Sequence, residues 1–234
     1  MAEVLITLAI IGVVAAMTIP TLITNYEKKK TVSQLIKATS TINNAFNLSI
    51  AYNGEMSQWN YSEGTGASTL KFLEKYLFPY LKTAKVCQPE NNKDCFAENT
   101  FKLDNSTWDT IDDSWATFVL ADGSAVAMMH ELYKDANTDE IYREQITFRF
   151  DTNGKNPPNR TGRDVFCYDM TVWENSLVHI NNKRVEPCFA GYIGNRDDFT
   201  KTNGFCASDK TSHGLGCGAL IQLDGWKISE DYPW

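Results

Sequence analysis

A chain of 234 residues, 43% hydrophobic and 12% aromatic, holds enough apolar material for one ordinary folded domain beside a membrane-length segment. That composition excludes a disordered chain and a large multidomain protein. The formal charge is −7; residues 1–30 hold three Lys and two Glu, which leaves 19 basic against 27 acidic side chains beyond them and excludes nucleic-acid phosphate as a main partner.

The first element is written in Val4–Thr24, VLITLAIIGVVAAMTIPTLIT, which carries no charge. As a helix it would reach roughly 31 Å, enough to cross a bilayer. Glu3 stands just before it, where a carboxylate entering hydrocarbon costs a few kcal/mol unless it is paired. Lys28, Lys29 and Lys30 follow the run and, taken alone, would hold that end in the cytoplasm by the positive-inside rule. A cleaved secretory signal, with small residues near Ala15 and Ala16, is the competing reading. Against it, the apolar run continues through Pro20 and flows into a further helical pattern.

That pattern places Val32, Leu35, Ile36, Ile42, Ala45, Phe46 and Ile50 on one amphipathic face. Asn53-Gly54 is a stop signal tolerant of positive φ. One helix from Ala2 to Asn53 would be about 78 Å long, more than a compact domain needs. Pro20 predicts a kink, or local unwinding back to Gly12 once such helices pack together.

Residues 55–67 are polar and rich in Gly and Ser, and Ser68–Lys82 predicts a second helix that Pro79 bends or ends. The stretch from Cys87 to Cys95 has loop composition. Strands are predicted at 115–120 and 124–130, joined by a two-residue Asp122-Gly123 hairpin turn, and again at 146–150, 165–171 and 177–180. The fold class expected is α+β, a long N-terminal helix packed on an antiparallel sheet.

The six cysteines, Cys87, Cys95, Cys167, Cys188, Cys206 and Cys217, are an even set beyond the apolar run, as disulfides in an oxidising compartment would be. Sequence permits 15 pairings. Neighbour pairing, Cys87 with Cys95, Cys167 with Cys188 and Cys206 with Cys217, closes two polar loops that have little core of their own. The alternative is that some are buried free thiols, Cys167 between Phe166 and Tyr168 first among them.

Asp151, Asn153 and Asp164 offer loop oxygens to Ca2+, although the EF-hand pattern is not met; otherwise they belong to a Gly/Asn/Pro turn whose side chains bond their own backbone. His130, His179 and His213 form no metal-ligand spacing. There is no G-x-S-x-G, and Gly214-Leu215-Gly216-Cys217-Gly218 lacks phosphate-loop spacing and reads as a turn into a helix. These patterns predict no catalytic residue and no resident cofactor other than the Ca2+ candidate.

Ala2-Glu3-Val4-Leu5-Ile6 with Gly12 and Pro20 resembles the mature N terminus of type IV pilins and type II secretion pseudopilins. Asp151-Thr152-Asn153-Gly154 followed by Pro157-Pro158-Asn159, Gly162-Arg163-Asp164 and Phe166 resembles a DxNG…PNxxGRDxF segment of pilin-like proteins. The ending Cys217–Ile221 with Asp224–Ile228 is similar to theirs as well. The resemblance leaves residues 55–113 untouched and departs at the start, where Met1 stands in place of the family's Leu; it implies a basic leader upstream.

What it implies is a pilin-like fold with residues 1–30 as the transmembrane and filament-core half of the helix and 31–234 as a periplasmic or extracellular head. It further implies removal of the leader and N-terminal methylation by a prepilin peptidase, and residence in membrane lipid of a bacterial inner membrane with the head in the periplasm. An inner-membrane assembly platform would then build these and other pilin subunits into a helical homo- or hetero-filament, a pilus or pseudopilus. In that setting Glu3 pairs with a neighbour's N-terminal amine and sets register, while Gly12 and Pro20 provide flexibility. The rival expectation is a membrane-tethered extracytoplasmic enzyme or ligand-binding domain that uses the helix only as an anchor.

Overall fold

The computed structural model describes residues 2–60, 64–138, 140–174, 184–190 and 195–234. Helix α1 runs unbroken from Ala2 to Asn53, 52 residues with Pro20 inside. Through Lys30 its side chains are exposed or half-exposed. From Thr31 onward, Val32, Leu35, Ala38, Ile42, Ala45, Phe46 and Ser49 are buried as well, a stripe at helical spacing that faces the core. Ile36, expected on that stripe, is 44% exposed, because one residue beyond Leu35 is a turn of about 100° around the helix. Small residues, Ala38 and Ser49, take the places between the large ones and let the helix approach closely. The helix stops at Gly54, whose φ of +80° suits its missing Cβ and whose N–H bonds Ile50 O at 3.0 Å.

Helix α2 spans Gly66–Tyr76 and opens with a capping box between Thr65 and Ser68. It is shorter than the predicted Ser68–Lys82. Pro79 lacks an N–H and disfavours helical φ/ψ in the residue before it, so the chain tightens to a 3-10 turn at Phe78–Tyr80. Two short helices follow much later, α3 at Asp197–Thr200 and α4 at Cys217–Leu223.

The described residues form eight strands: β1 Thr83–Cys87, β2 Asn99–Phe101, β3 Thr107–Thr110, β4 Ala116–Leu120, β5 Ala125–Lys134, β6 Ile141–Asp151, β7 Val165–Glu174 and β8 Glu186–Pro187. Six form an antiparallel sheet in the order β1-β4-β5-β6-β7-β8, and β2 pairs with β3. The β4–β5 connection is a three-residue loop, Ala121–Gly123, since Leu120 N–H still bonds Ser124 O at 2.9 Å. Asp122 Oδ1 accepts the Ser124 N–H, and Gly123 takes the left-handed position at φ +88°; one extra residue therefore fits where two were expected. The strand expected at 177–180 lies outside the described residues.

The register stacks apolar rows against α1. Phe118, Val126, Phe150 and Phe166 are cross-strand partners in one row, and Ala116, Met128, Phe148 and Tyr168 in the next. Phe46 of α1 meets Phe148 edge-on at 6.4 Å between centroids. Asn43 fixes the helix on one side: its amide donates to Val185 O and accepts the Val185 N–H, both at 2.9 Å. Gln34 Nε2 donates to Thr152 O at 2.7 Å, and Lys37 pairs with Asp122 at 2.8 Å.

All six cysteines are bonded, Cys87 to Cys95, Cys167 to Cys188 and Cys206 to Cys217. The first closes the turn Pro89–Asp94 onto the end of β1, the second ties β7 to the residue after β8, and the third holds a loop to the start of α4. A loop of about 15 residues closed in this way stabilises by about 3 kcal/mol in the chain-entropy model.

Neighbouring positions on α1 should respond very differently to truncation. Leu35→Ala should cost ~2–5 kcal/mol, whereas Ile36→Ala should stay within ~0.5 kcal/mol, both read from denaturant unfolding of the full chain in detergent. Equal losses would mean that the helix is rotated from the packing described.

Candidate functional site

Among the described residues nothing covers the apolar half of α1. From Val4 to Ile23 its large side chains are each more than half exposed, Leu5 at 68% and Met17 at 73% among them, and they surround the helix on every side. A helix apolar on every side has the surface of a membrane-spanning segment. It is long and apolar enough to cross a membrane. Glu3 sits in its first turn, exposed. Gly12 has nothing within 4 Å of where a Cβ would stand, and the helix is continuous across Gly12 and Pro20 in the single chain.

The second region is the loop between β6 and β7, where Asp151, Asn153 and Asp164 come together. Asp151, the last residue of β6, is fully buried, and its Oδ1 accepts the Asn153 N–H at 3.1 Å. With the Asn159 amide nitrogen turned inward it donates to Asp151 Oδ2 and to Asn156 O, each at 3.1 Å. Asp164 accepts from Arg160 N–H at 2.6 Å, from Asn159 N–H at 2.9 Å and from Asn153 Nδ2 at 3.2 Å. Burial pushes the Asp151 carboxyl well above the usual carboxylate range, and the nearby Asp164 charge adds to the shift. Burial raises Asp164 too, against the opposing pull of its donors.

A Ca2+ shell takes 6–8 oxygens. Here the carboxylate oxygens are occupied by N–H donors, and the unpartnered oxygen is the buried Asn153 Oδ1. As placed, these residues do not fit Ca2+; they brace the loop. Among the described residues no group of three or more His, Cys, Asp or Glu is arranged to hold a metal. His130 is buried with its Nε2 2.8 Å from Glu144 Oε1, His213 lies against Trp108 at 3.7 Å between ring centroids, and His179 lies outside the described residues. Gly214–Gly216 leads into α4.

Beside this loop, where α1 leaves the head, lies an open cleft of about 260 Å³. Helix α1 contributes Glu27, Lys30 and Gln34, the loop contributes Asn153, Pro158 and Arg163, and Trp234 closes one side. The Arg163 guanidinium lies 5.5 Å from the Trp234 ring centroid and Lys28 Nζ 5.9 Å from it, distances that favour cation–π attraction. Arg163 is 3.8 Å from Glu27, a loose ion pair.

The C-terminal segment reaches this place because Arg196 grips it. The guanidinium donates to Asp224 at 2.6 and 2.8 Å, to Asp231 at 2.7 and 2.8 Å and to Ser229 Oγ at 2.9 Å. Hydrogen bonds from Arg196 hold the Asp231 and Asp224 carboxyls below the usual carboxylate range. Tyr232 is buried and donates to Gly162 O at 2.5 Å. In the sequence Lys28–Lys30 stand out for topology and Arg163 as part of a motif, Trp234 carries no signal of its own, and no local pattern joins residues 27–34, 152–164 and 234.

Fold and site define an α+β protein in which the second half of a long, membrane-length apolar helix packs on a disulfide-bonded antiparallel sheet. The chain belongs to the DUF6613 family, described as a family of unknown function, whose model matches residues 21–234. Neither the curated proteins nor the solved structures contain a match. The matched span takes in the head and the cleft, and leaves Glu3, Gly12 and Pro20 outside it.

The buried pair in the loop makes stability depend on pH. A carboxyl whose folded pKa lies above its unfolded value costs stability at any pH above the unfolded value, fully above the folded one, and the loss is recovered as pH falls toward the unfolded value. Asp151→Asn should therefore raise the melting temperature at pH 7 by a few degrees. It should also remove most of the gain that the unsubstituted protein shows on acidification toward pH 4. Thermal unfolding of both proteins across this range would show it, and a destabilised variant at pH 7 would refute the assignment.

Proposed function

We propose that this protein is a structural subunit of a type IV pilus-like or type II secretion pseudopilus filament. The observation that carries the reading is the continuity of α1, apolar all round to Thr24 and then amphipathic and packed on the sheet without a break. A tether needs only length. A single rigid rod entering the core fixes the head relative to the anchor, which is what a filament of repeating subunits requires. The same apolar segment dissolves in lipid before assembly and packs against identical helices afterwards. Contacts of that head-to-tail kind generate open helices.

The resemblance of residues 2–25 to the pilin N terminus supplies the remaining steps: leader removal and methylation, and extraction of subunits from the inner membrane by an assembly platform. The three disulfides support a head on the oxidising side. A neighbour's N-terminal amine neutralises Glu3, and the pair gives one-residue register to a packing that apolar contacts alone would leave slippery.

Glu3→Ala should leave membrane insertion and the head's disulfides intact, because it only removes a charge from an apolar segment, and should abolish or sharply reduce incorporation into filaments. Sheared surface or periplasmic filaments, imaged by electron microscopy and probed for this chain, provide the readout. Incorporation at the unsubstituted level would sink the register role and leave the helix as a mere tether.

A further inference from the structure

The cleft between α1 and the β6–β7 loop lies at a defined depth. If the membrane ends with the apolar run at Thr24, the positions from Glu27 to Thr31 stand about 5–10 Å beyond the hydrocarbon. The headgroup layer on each side occupies roughly that thickness. At this depth the protein gathers Lys28, Lys30 and Arg163 around the indole of Trp234. Trp and basic side chains together suit the boundary between lipid and water.

The chemistry of the cleft is that of an oxyanion receptor. Lys30 is exposed and makes no ion pair among the described residues. Among the described residues the ion pair of Arg163 is the loose one to Glu27 at 3.8 Å, and its guanidinium lies against the Trp234 ring. Trp234 lines one side of the cleft and offers its ring to the two cations beside it. Of the two acids at the cleft, Asp164 has both oxygens engaged by Asn159, Arg160 and Asn153, which leaves Glu27 as the competing carboxylate.

We propose that this cleft binds the phosphate headgroup of an anionic phospholipid, with Lys30 and Arg163 contacting the phosphate and Trp234 seated at the lipid boundary. The inference rests on the membrane reading above and adds a lipid-specific contact made by the head. It gives the head a preferred height and rotation on the membrane surface before assembly.

The test uses the full chain purified in detergent and then offered phosphatidylglycerol or phosphatidylcholine. Native mass spectrometry should show phosphatidylglycerol retained in preference to phosphatidylcholine. Lys30→Gln and Arg163→Gln should each lower that retention about fivefold, with the unfolding midpoint of the lipid-free Lys30→Gln protein unchanged. Equal retention of the two lipids, or retention by both variants at the unsubstituted level, would overturn the proposal. Inorganic phosphate that displaces phosphatidylglycerol and raises the midpoint as much would show a soluble-oxyanion site and overturn it as well. Flotation with phosphatidylcholine vesicles and, separately, with vesicles containing phosphatidylglycerol separates the two readings: flotation without headgroup preference rejects the cleft alone, and no flotation on either lipid rejects the membrane reading together with it.

Discussion

The described structure is arranged around a helix whose first half keeps its apolar side chains exposed. Twelve large apolar side chains between Val4 and Ile23 are more than half exposed. At ~1.5–3 kcal/mol for each fully buried side chain, taking them out of water is worth on the order of 20 kcal/mol. That exceeds the ~5–15 kcal/mol by which a domain is ordinarily stable. The surroundings of α1 therefore decide where the chain resides, and the head has to follow. A helix can make this demand because its backbone hydrogen bonds are satisfied internally in water, lipid or a helical bundle alike.

The second half of α1 answers the opposite demand, fixing the rod to the sheet. Small residues on the buried stripe bring its backbone near the aromatic rows of β4–β7, and polar clamps set its rotation. Asn43 is the most specific of these, since one side-chain amide satisfies both backbone groups of Val185, just before the edge strand β8. Gln34 and Lys37 hold the other side, at Thr152 and Asp122. With the rod held at both sides of the sheet, any tilt of the first half of α1 is passed to the head.

The β6–β7 loop shows what the fold spends to keep its geometry. Two buried carboxylates are held close together, against desolvation and mutual repulsion, because they organise the backbone N–H groups of Asn153, Asn159 and Arg160. The loop then presents Arg163 toward α1. On the far side of the cleft, the grip of Arg196 on Asp224 and Asp231 brings the last residues of the chain back to the same point. Three segments distant in sequence meet there because separate polar networks hold each of them.

Sequence alone determined the elements whose causes are local. The unbroken apolar run, the amphipathic stripe after it and the Asn53-Gly54 stop define α1 residue by residue, and apolar runs around the Asp122-Gly123 turn place the central strands β4–β7, although β5 runs on to Lys134 and β6 begins at Ile141. Neighbour pairing of the cysteines was favoured by loop composition, and the bonds follow it. Local signals failed where tertiary contacts decide. Ser68–Lys82 reads as one helix, yet Pro79 cuts it short and residues 83–87 become the edge strand β1, whose exposed Lys85 and Val86 show no one-sided alternation. Ile36 fits the helical period and still faces water, because the stripe's exact rotation is set by what the sheet offers. The joining of Lys30, Arg163 and Trp234 belongs wholly to the tertiary structure: each is unremarkable in its own segment, and only the packing of α1 on the sheet and the clasp on the C-terminal segment bring their charges to one cleft.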